Sequence, residues 1–161
     1  MPRIVLIDDD EHQSAFVQKA LELKNFKVEF LEVPGRYSVL AEKLEDGTWS
    51  GTDLFILDVM MPHHPRYTSE ATRGGLITGV LIARDIRDKF QNIPIILWST
   101  APFKDFSKPI QEFANDLPKC TFISKYEGAD RIKEIYNNYM NGKGLGPSIQ
   151  QISERGLLTT A

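Results

Sequence analysis

The sequence predicts an α/β domain whose five parallel strands form one doubly wound (βα)5 sheet. Three observations carry that expectation. Short apolar runs alternate with amphipathic stretches five times along the chain, two of the runs, Ile4-Val5-Leu6-Ile7 and Leu54-Phe55-Ile56-Leu57, have no polar face, and each of those two ends directly on an aspartate. A run without polar alternation reads as a strand buried on both faces, as in parallel sheets. Strands separated by helices predict helices on both faces, and short right-handed crossovers leave few other topologies.

The elements follow in order. Residues 3–7 are the first strand, and 11–24 read as a helix with Ala15, Phe16, Ala20, Leu21 and Leu23 at core-facing spacings. Asn25 ends that helix, 27–31 alternate as a second strand, and Pro34-Gly35 turns the chain into a short helix over 37–44. The third strand, 54–57, delivers Asp58, and a long polar connection over 62–75 precedes a helix over 78–90. Pro94 breaks that helix before the fourth strand at 95–98. A helix over 108–116 with Ser107 as its cap and Pro109 in its first turn follows, then a strand at 121–123 and a last helix over 130–140. The pattern then fades, so 1–142 reads as the domain and 143–161 as a flexible or partner-docking tail with a weak apolar trace at Ile149, Ile152, Leu157 and Leu158.

Composition sets the class. At 161 residues and 42% hydrophobic content the chain suits a single domain with a proper core. A formal charge of −3 offers no general attraction to nucleic acid. The lone Cys120 excludes an internal disulfide and suits a reducing cytoplasm, and no run approaches the roughly 18 apolar residues of a membrane helix.

In an open α/β sheet ligands bind at the carboxyl ends of the strands. Asp8, Asp9, Asp58, Thr100 and Lys125 all stand at or just beyond such ends, so the fold would gather them on one edge. Three crowded carboxylates repel one another unless a hard divalent cation lies between them, and Mg²⁺ takes one or two carboxylates plus phosphate oxygens. That combination suits phosphoryl transfer, with Asp58 as nucleophile and Lys125 neutralising the transferred group.

Over residues 2–140 the chain resembles the receiver domains of two-component response regulators. The resemblance rests on Asp8-Asp9 after the first strand, Asp58 in LFILDVMMP, Thr100-Ala101 after the fourth strand and Lys125 after FIS. It implies a flavodoxin-like receiver fold with Asp58 as phosphoacceptor. It also implies Mg²⁺ held by Asp9, Asp58 and the Met60 backbone carbonyl with Asp8 assisting, and Thr100 and Lys125 sensing the phosphoryl group. Phe122 matches the switch aromatic that turns inward when Thr100 and Lys125 move. The implied partners are a histidine kinase or histidine phosphotransfer protein and a downstream protein target, with no nucleic acid, for a stand-alone monomer or weak homodimer. No reaction beyond self-phosphorylation and self-dephosphorylation is implied.

Three departures accompany the resemblance. Tyr126 follows Lys125 where the family usually has proline, and the connection from Pro62 to Gly79 is longer than usual. Met60 and Pro102, two residues after Asp58 and Thr100, are apolar and cannot orient a water, which predicts slow loss of the phosphoryl group. Two other readings stand beside this one. A receiver-like scaffold would bind its partner without phosphorylation. A haloacid dehalogenase-type phosphatase would use the Asp-x-Asp spacing within Asp8-Asp9-Asp10, although His12 sits where that family has Thr or Val. Asp8-Asp9-Asp10 also suits plain capping of the first helix, and the adjacent His63-His64 lacks the spacing of a helix-borne metal pair.

Overall fold

A computed structural model describes residues 1–33, 35–62, 64 and 66–152. Its strands β1 (Arg3–Asp8), β2 (Lys27–Glu32), β3 (Leu54–Asp58), β4 (Ile95–Ser99) and β5 (Cys120–Ser124) form one sheet in the order β2-β1-β3-β4-β5. Every neighbouring pair is parallel. The helices are α1 (Glu11–Glu22), α2 (Tyr37–Asp46), α3 (Thr78–Lys89), α4 (Ser107–Gln111) and α5 (Gly128–Met140). All five residues of β3 and of β4 are buried, as the runs without polar alternation require.

Side chains alternate along each strand and so feed two cores. Phe55 and Leu57 face a cluster closed by Leu40 of α2, Val80 of α3 and Ile110 of α4. Leu54 and Ile56 face the opposite cluster, closed by Val17 and Leu21 of α1 and Ile132 and Ile135 of α5. The layering is therefore the doubly wound one. It directs the carboxyl ends of all five strands to one edge.

Several details differ from expectation. The inward face of α1 is Ser14, Val17 and Leu21, while Phe16 and Leu23 are 80% and 81% exposed. The helix starts at Glu11 as expected, with the Asp10 carboxylate accepting the Gln13 N–H at 3.0 Å as its N-cap, but it docks on the stripe 14, 17 and 21, which turns Phe16 outward. The helix expected over 108–116 stops at Gln111 and resumes only as a 3-10 turn at Ala114–Asp116. Ser107 is its first helical residue rather than its cap.

The stretch read as a tail is partly folded. Leu145 joins the α1–α5 cluster, Ile149 is fully buried in the other, and the Thr121 hydroxyl donates to the Pro147 carbonyl at 2.8 Å. Two apolar side chains spaced four apart are too sparse a signal to read as core from sequence. His63 and the apolar trace at Leu157 and Leu158 lie outside the described residues.

Candidate functional site

Register brings the acids together. Ile7 pairs with Leu57, so Asp8 and Asp58 leave adjacent strands at the same level, and Asp9 follows directly. One carboxylate oxygen from each of Asp8, Asp9 and Asp58 lies within 4.8 Å of the others. Asp8 is fully buried, Asp58 nearly so, and Asp9 opens to solvent. Burial and the Asp8 charge push the Asp58 carboxyl up to about 9 despite Lys125, and burial also raises Asp9. Asp10 is exposed and caps α1, which removes the second acid that a haloacid dehalogenase-type site would need.

The backbone under Asp58 is as constrained as its side chain. A Cβ added to Gly79, in the first turn of α3, would fall 1.8 Å from the Asp58 carbonyl oxygen. The Gly79 N–H also donates to Val59 O at 2.9 Å. Only glycine lets α3 approach β3 this closely.

Lys125 is the cation of the site. Its Nζ donates to Asp8 Oδ2 at 2.7 Å and lies 3.3 Å from Asp58 Oδ2, above the Trp98 ring at 5.2 Å from its centroid. Burial pulls its ammonium down, but the charges of Asp58 and Asp8 outweigh that and hold its pKa above the ordinary lysine value. Tyr126 explains how Lys125 is positioned without the usual proline. The Tyr126 N–H, a group proline lacks, donates to Ser124 Oγ at 3.2 Å, and Glu127 Oε2 accepts the Ser124 N–H at 3.1 Å. This capping box fixes the 3-10 turn Lys125–Glu127 that carries the lysine.

The hydroxyl of the site has two candidates. Asp58 pairs with Trp98, so the next residue, Ser99, closes β4 beside the acids; it is buried and its Oγ accepts the Ala101 N–H at 3.1 Å. Thr100 lies beyond the strand and is exposed. Phe122 is half-buried, edge-on to Phe103 at 5.0 Å between ring centroids and tilted against Phe106 at 6.1 Å.

No protein-family model matches the sequence, and no curated protein does. Solved structures do. A CheY-like receiver domain protein from Methanospirillum hungatei is 16% identical with a TM-score of 0.64, over 89% of this chain and 96% of its own. A receiver domain protein from Clostridium thermocellum is 19% identical with a TM-score of 0.63, over 89% and 97%. A chain from the complex of the histidine kinase ThkA with the response regulator TrrA is 21% identical with a TM-score of 0.56, over 83% and 94%. The fold is that of a response-regulator receiver domain.

On this receiver fold the described residues of the long connection after β3 make contacts of their own. Tyr67 is buried and donates to Asp85 Oδ2 of α3 at 2.7 Å, while Arg66 Nε pairs with the same oxygen at 3.4 Å. The His64 ring packs on Tyr37, whose hydroxyl donates to Pro62 O, and His64 Nδ1 accepts the Arg66 N–H. Burial, helped by the Asp9 charge, pushes the Tyr37 hydroxyl up to about 12. Arg73, Gly74, Gly75 and Leu76 of this connection line a cavity of about 500 Å³ with Asp9 and Met60, the latter 45% exposed. Sequence reading places Arg73 in the long connection, which it takes as able to cover the site or meet a partner, and Arg73 lines the same cavity as Asp9.

Proposed function

We propose that the protein accepts a phosphoryl group on Asp58 from a phosphohistidine, supplied by a histidine kinase or histidine phosphotransfer protein, and signals by docking to a downstream protein target. The observation that carries this reading is the meeting of Asp8, Asp9 and Asp58 with Lys125 at the carboxyl ends of the strands. The solved complex of ThkA with TrrA supports the choice of partner, since a chain from it shares this fold. A charge of −3 supports a protein rather than a nucleic-acid partner. We read the protein as cytoplasmic, a monomer or weak homodimer; among the described residues no helix is long and apolar enough to cross a membrane.

An Asp58 oxygen attacks phosphorus, the P–N bond breaks, and the imidazole leaves as it takes a proton from solvent. The attack needs ionised Asp58, yet by itself the site retains that proton to about pH 9. An all-oxygen set of three carboxylates fits Mg²⁺, which they would hold with the Met60 carbonyl that the resemblance implies, and which would neutralise charge on the acids and on phosphoryl oxygens. The chain's own residues supply the rest. Asp58 is the nucleophile, Lys125 places its ammonium against the transferred group, and a hydroxyl from Thr100 or Ser99 donates to a phosphoryl oxygen. Phe122 turns as these groups move inward, reshaping the surface of α4, β5 and α5.

Acetyl phosphate with Mg²⁺ tests the reading. Intact mass should show one phosphoryl adduct on the wild type and none on Asp58→Asn; an adduct retained by the variant, or absent from the wild type, rejects it. Comparing adduct lifetimes of Ser99→Ala and Thr100→Ala identifies the hydroxyl. A lifetime as short as that of fast chemotaxis-type receivers would contradict the protection expected from Met60 and Pro102.

A further inference from the structure

We propose that Arg73, supplied by the insertion, is a second cation for the phosphoryl group, held in reserve by Glu112 until Asp58 is phosphorylated. This rests on the phosphoacceptor reading and names how that site is regulated. Arg73 lines the cavity that opens on Asp9 and Met60, and it also lines a neighbouring one shared with Lys108 and Glu112. It therefore stands between the acid edge and the segment after α4. Its Nη2 now donates to both Glu112 oxygens, at 3.0 and 3.1 Å.

Two features mark this placement as built. Arg73 adopts φ +57°, a left-handed backbone that disfavours a side chain by about 1 kcal/mol, and Gly74 and Gly75 continue it at +71° and +93°. A Cβ on Gly75 would lie 2.8 Å from Met61 O, so the turn is pressed against the segment that leaves Asp58. Thr72 locks it, donating to Thr68 O at 2.8 Å and accepting the Gly75 N–H at 3.0 Å. The main chain of the turn is thus fixed, while the guanidinium at its end is half-exposed and free to change partner.

Electrostatics gives the direction of exchange. Arg73 and Lys108 face one carboxylate, Glu112, and an exposed ion pair of this kind is worth well under about 1 kcal/mol. Phosphorylation adds roughly two negative charges with three acceptor oxygens beside Asp9, which lines the same cavity as Arg73. A guanidinium matches such an anion bidentately, so the phosphoryl group outcompetes Glu112. Leaving Glu112 also unfastens the insertion from the end of α4, which couples phosphorylation to that surface.

The test uses two variants that break the same ion pair. With Mg²⁺ present, beryllofluoride, a phosphoryl mimic, is titrated against the full chain and followed by tryptophan fluorescence. Arg73→Gln should weaken its binding roughly tenfold, about one charge-assisted hydrogen bond, whereas Glu112→Gln should strengthen it and Arg73→Lys should restore part of the loss. Were the ion pair merely structural, Arg73→Gln and Glu112→Gln would shift binding in the same direction or not at all, and the assignment of Arg73 would fall alone. If the wild type binds no beryllofluoride and takes no phosphoryl group, the phosphoacceptor reading falls and this one falls with it.

Discussion

Two buried cations stand at opposite ends of the sheet and are held in different ways. Arg87, near the end of α3, donates Nη1 to the carbonyls of Phe90 at 2.8 Å and Ile93 at 2.7 Å, and Nη2 to that of Lys119 at 3.0 Å, where β4 and β5 begin. Lys125 meets Asp8 and Asp58 where the strands finish. Backbone carbonyls cannot leave, so the Arg87 end is closed and structural. Carboxylates can exchange a lysine for another cation or for a covalent partner, and three of them against one ammonium leave the other end in need of one. A buried charge reads as functional when its partners are replaceable and its balance is incomplete.

Substitutions at either end sharpen the contrast. The largest effect belongs to Gly79→Ala, whose methyl meets the Asp58 carbonyl at 1.8 Å. It should lose more than about 3 kcal/mol in urea unfolding, and an unchanged midpoint would contradict the close approach. Arg87→Met takes this donor from the Phe90 and Ile93 carbonyls, while Lys119 O keeps the Ile95 N–H, and should lose about 3 kcal/mol while leaving the Asp58 adduct intact. Loss of the adduct there would show that the two ends are not independent. Lys125→Met leaves Asp8 and Asp58 without their cation and should destabilise by about 2 kcal/mol in urea unfolding at pH 8.

Asp58→Asn should act oppositely. Folding raises the Asp58 pKa from 3.8 to about 9, so the folded state binds this proton more tightly than the unfolded chain does. The stability that this linkage gives is fully present below about pH 4 and is lost as pH climbs to 9. The variant should flatten that decline and raise Tm by a few degrees at pH 8, and thermal melts over pH 5–9 would show it. The smallest effect is chemical. The Cys120 thiol, pushed up to about 12 by burial, should resist iodoacetamide in the native protein and react in urea.

The strands were legible because a fully buried parallel strand has no polar face to disguise it, and the acids because they stop such strands. Phases and registers were less so. Phe16 and Leu23 look like core residues by their apolarity, yet α1 docks on the stripe that includes Ser14, an inward position that its polarity conceals. Of two consecutive hydroxyls, only the pairing of Asp58 with Trp98 tells which one closes β4. Tyr126 departs from the resemblance in sequence, yet its N–H joins a cap that needs it. Ile149 is distant in sequence from every residue it buries against, a long-range contact that local pattern does not encode.

That last contact bears on how one edge of the sheet is covered. β2 and β5 are the outer strands, each with one row of backbone groups turned away from the sheet and available as a template for a strand from elsewhere. β2 guards its row with charge, carrying Lys27, Glu29 and Glu32. β5 has no acidic or basic residue. Because Leu145 is buried on one face and Ile149 on the other, the chain between them must cross the open side of β5, and it does so with Pro147, a residue with no N–H to extend a ladder. The crossing strap is the guard of that edge, and removing it would leave an uncharged strand open to intermolecular pairing.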